Sequence, residues 1–542
     1  MKKKLLVLGL DGADWKILKP FAEKGYLPTI ARILKEGVHG ALESTIPSMT
    51  APSWTTFVTG KHPGKHGLFD FLLPTDSLAH MKFATSRDIR DKTIYEIVKE
   101  NGLTPILINL PGSWPPRLAD DITITSILTQ GDQWIYPASL KKEFPELTKY
   151  RLTPNESLRL KENESGYIED LLLHLDEWMA ATKRIFKEKP WDFFFFLFSH
   201  TDWVSHLCFD KMLTDNHEGA RRVFAKVDES IAWFLENKPT DTNVLFVSDH
   251  GFAAYHKIFY FNRWLEKEGY LTTNNQGDAH HGAVTRRAKE TDKIRNTKTR
   301  LNLGSGLFTA LSRFPWLERA AKWSYHHIIK PYLPLDLKVN VGIDFSKTRV
   351  CFPKGAYITN AYINKDWVYQ NGTVSREQYP KLRAEVVEKM RNIHDPEGQP
   401  VVARVFTRDE VYGQDAPEQA PDIFFELNEY WLVGQFQSGN LFGKSLENKH
   451  DKYGIFMGLG PDFASDKEVV GLKMQDMTPN MLHLLDIPVP KDCDGKVNRE
   501  IFSDNSSAKH RELSFGASSK IQPQPKISEK DAIKKALGKI KF

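Results

Sequence analysis

The sequence predicts an α/β fold with a mostly parallel central sheet and helices on both faces. Three observations carry that prediction. Short apolar runs recur along the chain, helical patterns lie between many of them, and acidic or imidazole residues stand directly after several of the runs. Strands that alternate with helices pair in parallel and are covered on both sides. Such strands read as continuous apolar segments rather than alternating ones.

The first run, LLVLGL at 5–10, follows three lysines. It is shorter than the roughly seven residues a secretory core needs, and no small-residue cleavage site follows. It therefore reads as a buried strand ending at Asp11, and the expected location is cytoplasmic. A helical pattern covers Pro28–Glu36. The segment PSMTAPSWTTFVTGKHPGKHG (47–67) is too irregular for a plain helix or strand, and Thr50 sits between two prolines on what reads as a turn. A helix at Tyr95–Asn101 leads to the strand PILINL (105–110), and a long helix at Tyr167–Glu188 leads to DFFFFLFS (192–199). His200, Thr201 and Asp202 follow that strand. The run NVLFVS (243–248) is followed by Asp249, His250 and Gly251.

The pattern breaks between Thr272 and Asn340, first basic (Arg286 to Arg300), then aromatic (Phe314 to Tyr332). This reads as a cap, 272–340, inserted between a first core part, 1–271, and a second, 341–502. The second part carries a helix at Ser375–Asn392 and the strand GIFMGLG (454–460). From 503 to 542 the chain reads as a flexible basic tail, rich in Ser, Lys and Pro. A short amphipathic helix, with Ile533, Leu537 and Ile540 on one face, closes it.

Composition narrows the function classes. A net charge of +5 on 542 residues points to no particular partner, and no nucleic-acid motif accompanies the basic stretch. Cys208, Cys351 and Cys493 are too scattered for a disulfide framework or a thiolate metal cluster. No uncharged apolar run reaches the roughly 18 residues a membrane span needs. The basic and aromatic stretch 286–332, or the tail, could instead rest on an anionic membrane surface. The plainer reading is a solvated loop with aromatics packed inside the cap.

The strand ends carry the chemistry, because functional groups in open α/β sheets gather past the carboxyl ends of strands. Asp202 and His206 are four apart, so on a helix both project from one face. Asp249 and His250 are adjacent on a turn, where neighbouring side chains splay apart. Asp11 adds a carboxylate, and His450 stands on a polar stretch before a buried strand. Carboxylates with imidazoles suit zinc, manganese or magnesium, and three histidines favour zinc. Two such ions could clamp a displacement at phosphorus, with Thr50 as the hydroxyl nucleophile. Taken singly, each residue has a plainer use: Asp11 as a cap, Asp202 with His206 as a surface pair, Thr50 in a turn. Lys61, His62, Lys65 and His66 fit either a phosphate-attracting cluster or a solvated loop.

The order of these motifs resembles the type I phosphodiesterase and nucleotide pyrophosphatase branch of the alkaline phosphatase superfamily. The carriers are Asp11 after the first strand, P-x-x-T-x-P at 47–52, T-G-x-x-P-x-x-H-G at 59–67, D-x-x-x-H at 202–206, S-D-H-G at 248–251 and the late His450. LPGSWPPR (110–117), IDFSKTR (343–349) and DCDGKVNREIF (492–502) are similar to its uncharacterised prokaryotic phosphohydrolase or phosphomutase members. The likeness spans roughly 4–502. It implies an alkaline-phosphatase-like three-layer sandwich and a two-metal site. Asp202, His206 and His450 would hold one ion; Asp11, Asp249, His250 and the Thr50 oxygen would hold the other. His256, His280 and His281 compete with His450 for the late position. Thr50 would become a covalent phosphoryl or nucleotidyl intermediate, and Ser53, three residues on, would donate to a phosphoryl oxygen. The expected substrate is a phosphorylated small molecule or a lipid-like phosphodiester. A monoesterase or phosphomutase is the second expectation, and a non-catalytic binding protein the third. The related sulfatases need a convertible Cys or Ser and an Arg, where this chain has Thr50 and Trp54.

Overall fold

A computed structural model of the chain describes residues 3–118, 120–274, 342–352, 359–414, 416–428, 431–434 and 440–521. Its centre is a nine-stranded sheet in the order Lys467–Lys473, Val38–Glu43, Tyr453–Leu459, Thr242–Val247, Lys4–Leu10, Phe193–Phe198, Pro105–Leu110, Thr123–Thr125 and Ile135–Tyr136. Thr242–Val247, Lys4–Leu10, Phe193–Phe198 and Pro105–Leu110 run parallel to one another. Tyr453–Leu459, expected among parallel strands, runs antiparallel to both of its neighbours.

The apolar runs are continuous because both faces are covered. Leu6, Leu8, Phe194, Phe196 and Phe198 pack on one side, against Ile17, Ile30, Trp178, Val204 and Ile231 of five helices. Leu5, Val7, Phe193 and Phe195 face the other side, against Trp54, Phe57, Val98 and Met481. Alternate residues of one strand thus feed two separate cores. No helix among the described residues is long and apolar enough to cross a membrane.

The core does not resume at 341, as the sequence reading had it. Residues 342–427 instead build a separate four-stranded antiparallel sheet, in the order Val350–Cys351, Asn360–Ile363, Ile423–Leu427 and Val402–Thr407. The helix Tyr379–Arg391 packs on it through Leu382, Val386 and Met390, in a core with Phe261, Trp264 and Phe425. The chain rejoins the large sheet only at Tyr453. Between the two units lies a three-stranded sheet in which Gly251–Tyr260 is flanked by Trp431–Gly434 and Phe442–Asp451. The expected cap falls outside the described residues from 275 to 341, as does the closing amphipathic helix beyond 521.

The expected flexible tail is also revised. Residues 503–521 are fixed to the core: Ala508 is buried, Ser506 bonds Asp462, and Phe515–Gly516 pairs with Val489–Pro490. Polar composition suggested a free tail, but these side chains find partners.

The basic cluster after Thr50 proves to be a structural clasp. Lys61 is 1 % exposed and reaches Asp91 at 2.5 Å and Asp492 at 2.6 Å. Lys65 pairs with Asp494, and His62 lies parallel to the Tyr412 ring. His66 is buried; its Nδ1 accepts from the Leu68 N–H, so Nε2 donates to Thr56 Oγ1 at 2.9 Å. Burial pulls its pKa well down and keeps it neutral. Removing one partner of a buried ion pair leaves the other charge uncompensated. Lys61→Met should therefore lower stability by about 3 kcal/mol in urea unfolding; a change within experimental error would contradict the clasp.

Candidate active site

Three neighbouring parallel strands end together, and each end supplies an acid. Adjacent strands lie about 4.8 Å apart, so groups just past their ends meet. Asp11 follows Lys4–Leu10, and its N–H bonds the Phe198 carbonyl at 3.0 Å. Asp202 lies in the first turn of the helix His200–Leu213, with His206 one turn on. Thr201 ties that helix to the first strand by donating to the Asp11 carbonyl at 2.6 Å. Asp249 and His250 occupy the link between Thr242–Val247 and Gly251–Tyr260. His450 arrives from the far end of the chain, paired in register opposite Phe252. It stands in a strand, not on the loop that the polar sequence suggested.

The side chains form two adjoining sets. Asp11, Asp249 and His250 place ligand atoms within 4.8 Å of one another, and so do Asp202, His206 and His450. The first set is sealed, at 3 %, 0 % and 0 % exposure. The second opens to a cavity. His250 and His450 join the sets by stacking, with ring centres 3.6 Å apart. His206 Nδ1 donates to the Asn448 carbonyl at 3.0 Å, and His250 Nδ1 to the Gly251 carbonyl at 3.1 Å. In both rings Nε2 then presents a lone pair, the tautomer a ligating histidine needs. The His206 and His450 Nε2 atoms point at one another at 3.1 Å, and each lies 3.5 Å from Asp202 Oδ1.

The buried acids call for protons or cations to answer their charge. Asp11 Oδ1, Asp202 Oδ1 and Asp249 Oδ2 are buried atoms without a hydrogen-bond partner. Burial, and then the charges of Asp249 and Asp202, push the Asp11 carboxyl well above the usual carboxylate range. Burial raises Asp249 as well. Burial pulls His206 down to about 3 and, with His250 beside it, takes His450 well below its ordinary value. Neutral imidazoles facing orphaned carboxylate oxygens are a donor set for divalent metal ions.

Thr50 is not on a turn. It is the first residue of the helix Thr50–Thr59. Pro52 is compatible with that helix because the first N–H groups of a helix have no internal partner to lose. Thr50 Oγ1 lies 3.4 Å from His250 Nε2 and lines the cavity. Ser53, expected to donate to a phosphoryl oxygen, does not line the cavity. It is 0 % exposed, and its hydroxyl is held by Ser44 Oγ at 2.7 Å and Thr45 Oγ1 at 2.9 Å beneath the helix. Of the residues competing with His450, His256 is an exposed strand position away from both sets, and His280 and His281 lie outside the described residues.

Sequence reasoning missed Gly12. Its φ is +63°, and a Cβ there would stand 2.5 Å from the Phe252 ring and 3.1 Å from Asp202 Oδ1. Only glycine lets the Asp11 turn pass between the sets, and its N–H also donates to Asp249 Oδ1 at 3.3 Å. The Asp-Gly pair after a strand was the available signal. The cavity of about 790 Å³ above the outer set was also missed. Its walls include Trp203 and Arg159 from the core side, Tyr255, Lys449 and Trp431 from the three-stranded sheet and Phe425 from the smaller unit, and no local pattern marks them.

A parallel sheet whose strand ends gather acids and imidazoles beside a hydroxyl at a helix start defines a hydrolase of phosphoric esters. The chain belongs to the type I phosphodiesterase / nucleotide pyrophosphatase family, whose model matches residues 5–306. Among solved structures, phosphonoacetate hydrolase from Sinorhizobium meliloti 1021 in complex with phosphonoformate is similar at 15 % identity and a TM-score of 0.53, over 90 % of this chain and 95 % of that one. Murine ectonucleotide pyrophosphatase/phosphodiesterase 5, in complex with AMP, gives 15 % identity and a TM-score of 0.49 over 93 % and 100 % of the two chains. At 15 % identity the likeness to the phosphonoacetate hydrolase concerns the fold alone. No curated protein matches the sequence.

The buried hydroxyl cluster separates two roles for Ser53. Ser53→Ala should cost about 1–3 kcal/mol of stability by leaving Ser44 and Thr45 short of a partner, while KM for a phosphodiester stays within about twofold of wild type. A large rise in KM with unchanged stability would return Ser53 to the substrate.

Proposed function

We propose that the protein is a metal-dependent phosphodiesterase or nucleotide pyrophosphatase that works through Thr50. The observation that carries this reading is the meeting of two ligand sets, with three unpartnered carboxylate oxygens, beside the Thr50 hydroxyl. Asp202, His206 and His450 would hold one divalent ion; Asp11, Asp249, His250 and Thr50 Oγ would hold the second. Zinc suits the three imidazoles best, ahead of manganese or magnesium. When bound, such a pair supplies positive charge for the phosphoryl oxygens and lowers the pKa of an oxygen it touches.

The remaining work falls to the chain itself. The helix start fixes Thr50 at the cavity floor, and the stacked histidines fix its distance from both ligand sets. Thr50 Oγ gives up its proton as it bonds to phosphorus, and the ester P–O bond breaks as the leaving oxygen gains a proton. Water then replaces Oγ at phosphorus and returns a proton to Thr50. The cavity of about 790 Å³, walled by aromatic side chains, favours a substrate with an organic group on each side of phosphorus over a bare monoester. The cysteines Cys208, Cys351 and Cys493 are free, in keeping with a reducing, cytoplasmic location.

Thr50→Ala should lose at least about a thousandfold in kcat on bis(p-nitrophenyl) phosphate while still taking up zinc. Activity above a tenth of wild type would remove Thr50 as nucleophile. Metal analysis should find two zinc ions per chain, falling to one in Asp202→Ala with His206→Ala. Zinc at about 100 times its dissociation constant should stabilise the wild type by about 2.7 kcal/mol per site. No zinc uptake by the wild-type protein would end the two-metal reading.

A further inference from the structure

We propose that Arg159 and Lys449 form an anion-recognition subsite on the cavity wall, selecting substrates that carry a second negative charge beside the scissile phosphoryl group. The inference rests on the proposed phosphoryl chemistry and names its substrate class. Arg159 belongs to the short helix Glu156–Leu160, and Lys449 directly precedes His450 in the strand Phe442–Asp451. Both line the cavity that holds Thr50 and the outer ligand set. They lie within electrostatic reach of each other and of Asp202. Two cations from remote parts of the chain therefore face one wall, at a cost in mutual repulsion that an anion would relieve.

The ion pairs of these two cations are short in sequence. Arg159 meets Glu156, three residues back, through Nε at 2.7 Å, and Glu156 is itself held by the Tyr167 hydroxyl at 2.9 Å. Lys449 meets Glu447, two residues back, at 3.1 Å. These local acids orient the two side chains along the cavity wall. By contrast, Arg151 bridges to Asp170 and Glu177 on another helix, as a structural cation does. Among the described residues, the terminal nitrogens of Arg159 carry no hydrogen bond in addition to the one at Nε. A planar fork with open N–H groups matches phosphate or carboxylate oxygens in pairs, and the ammonium adds a point charge. The fitting ligand is a phosphoanhydride, or a diester whose leaving group bears a phosphate or carboxylate.

Two substrates that share the thymidine 5′-phosphoryl group test this. Thymidine 5′-diphosphate carries an anionic leaving group; p-nitrophenyl thymidine 5′-phosphate does not. Arg159→Gln combined with Lys449→Gln should lose at least about tenfold more kcat/KM on the diphosphate than on the aryl ester. Added salt should narrow the wild-type ratio. p-Nitrophenylphosphocholine, which carries a cation, should gain relative to the aryl ester in the same variant. Equal losses on the first two substrates, or none, would overturn the subsite. Urea unfolding of the variant, and of each single change, identifies any loss that comes from misfolding. If the zinc-loaded wild type cleaves neither substrate, the phosphodiesterase reading fails first. Equilibrium binding then decides the subsite: thymidine 5′-diphosphate should bind the variant at least about tenfold more weakly than wild type, and equal binding would overturn it.

Discussion

Three carboxylates share one small space, and that constraint organises the rest of the molecule. Asp11, Asp202 and Asp249 each keep an oxygen without a partner where water is largely excluded. Like charges held together in a low dielectric are unstable unless protons or metal ions answer them. The surroundings therefore act to hold the acids in place. The Gly12 turn, the Thr201 bond to the Asp11 carbonyl and the backbone anchors of His206 and His250 all serve that end. A donor set this rigid can hold a metal ion without rearranging, which is where selectivity among ions arises.

The large sheet accounts for the three acids at the site, and the three-stranded sheet accounts for His450. Lys4–Leu10 lies between Thr242–Val247 and Phe193–Phe198, so three acids at strand ends meet with no special device. His450 needs a different route. The strand Gly251–Tyr260 leaves the core, pairs with Phe442–Asp451, and so brings a histidine back over the floor. The excursion that delivers this ligand also places Phe425 and Trp431 over the cavity. His450 and the far wall of the cavity thus come from one piece of topology.

What could be read from the sequence follows from the range of the forces involved. The buried strands were legible because Leu5–Leu10 and Phe193–Phe198 are apolar on both faces, a property of the local chain. The grouping of Asp202 with His206 followed from helical spacing alone. Thr50 was misplaced because two prolines look like a break, although a helix start accepts Pro52 at no loss. The smaller sheet was hidden because Val350–Cys351 and Asn360–Ile363 are too short for any period to show. Ser53 and the end of the described chain were misread for one reason. A hydroxyl carries no sign of whether its partner is substrate, solvent or another buried hydroxyl.

The clasp at Lys61 joins the segment just beyond Thr50 to Asp492, a residue 431 positions later, and Ser518 and Ser519 bond to that same aspartate. On a ribosome, the threonine segment emerges hundreds of residues ahead of one of its two counter-charges. The helix that carries Thr50 therefore has only the Asp91 half of its fastening until Asp492 is made. A chain that stops short of Asp492 would carry Asp11, Asp202, Asp249 and Thr50 yet leave the Lys61 ammonium buried with Asp91 alone, so the segment beside the ligand sets depends for its fastening on a residue far along the chain.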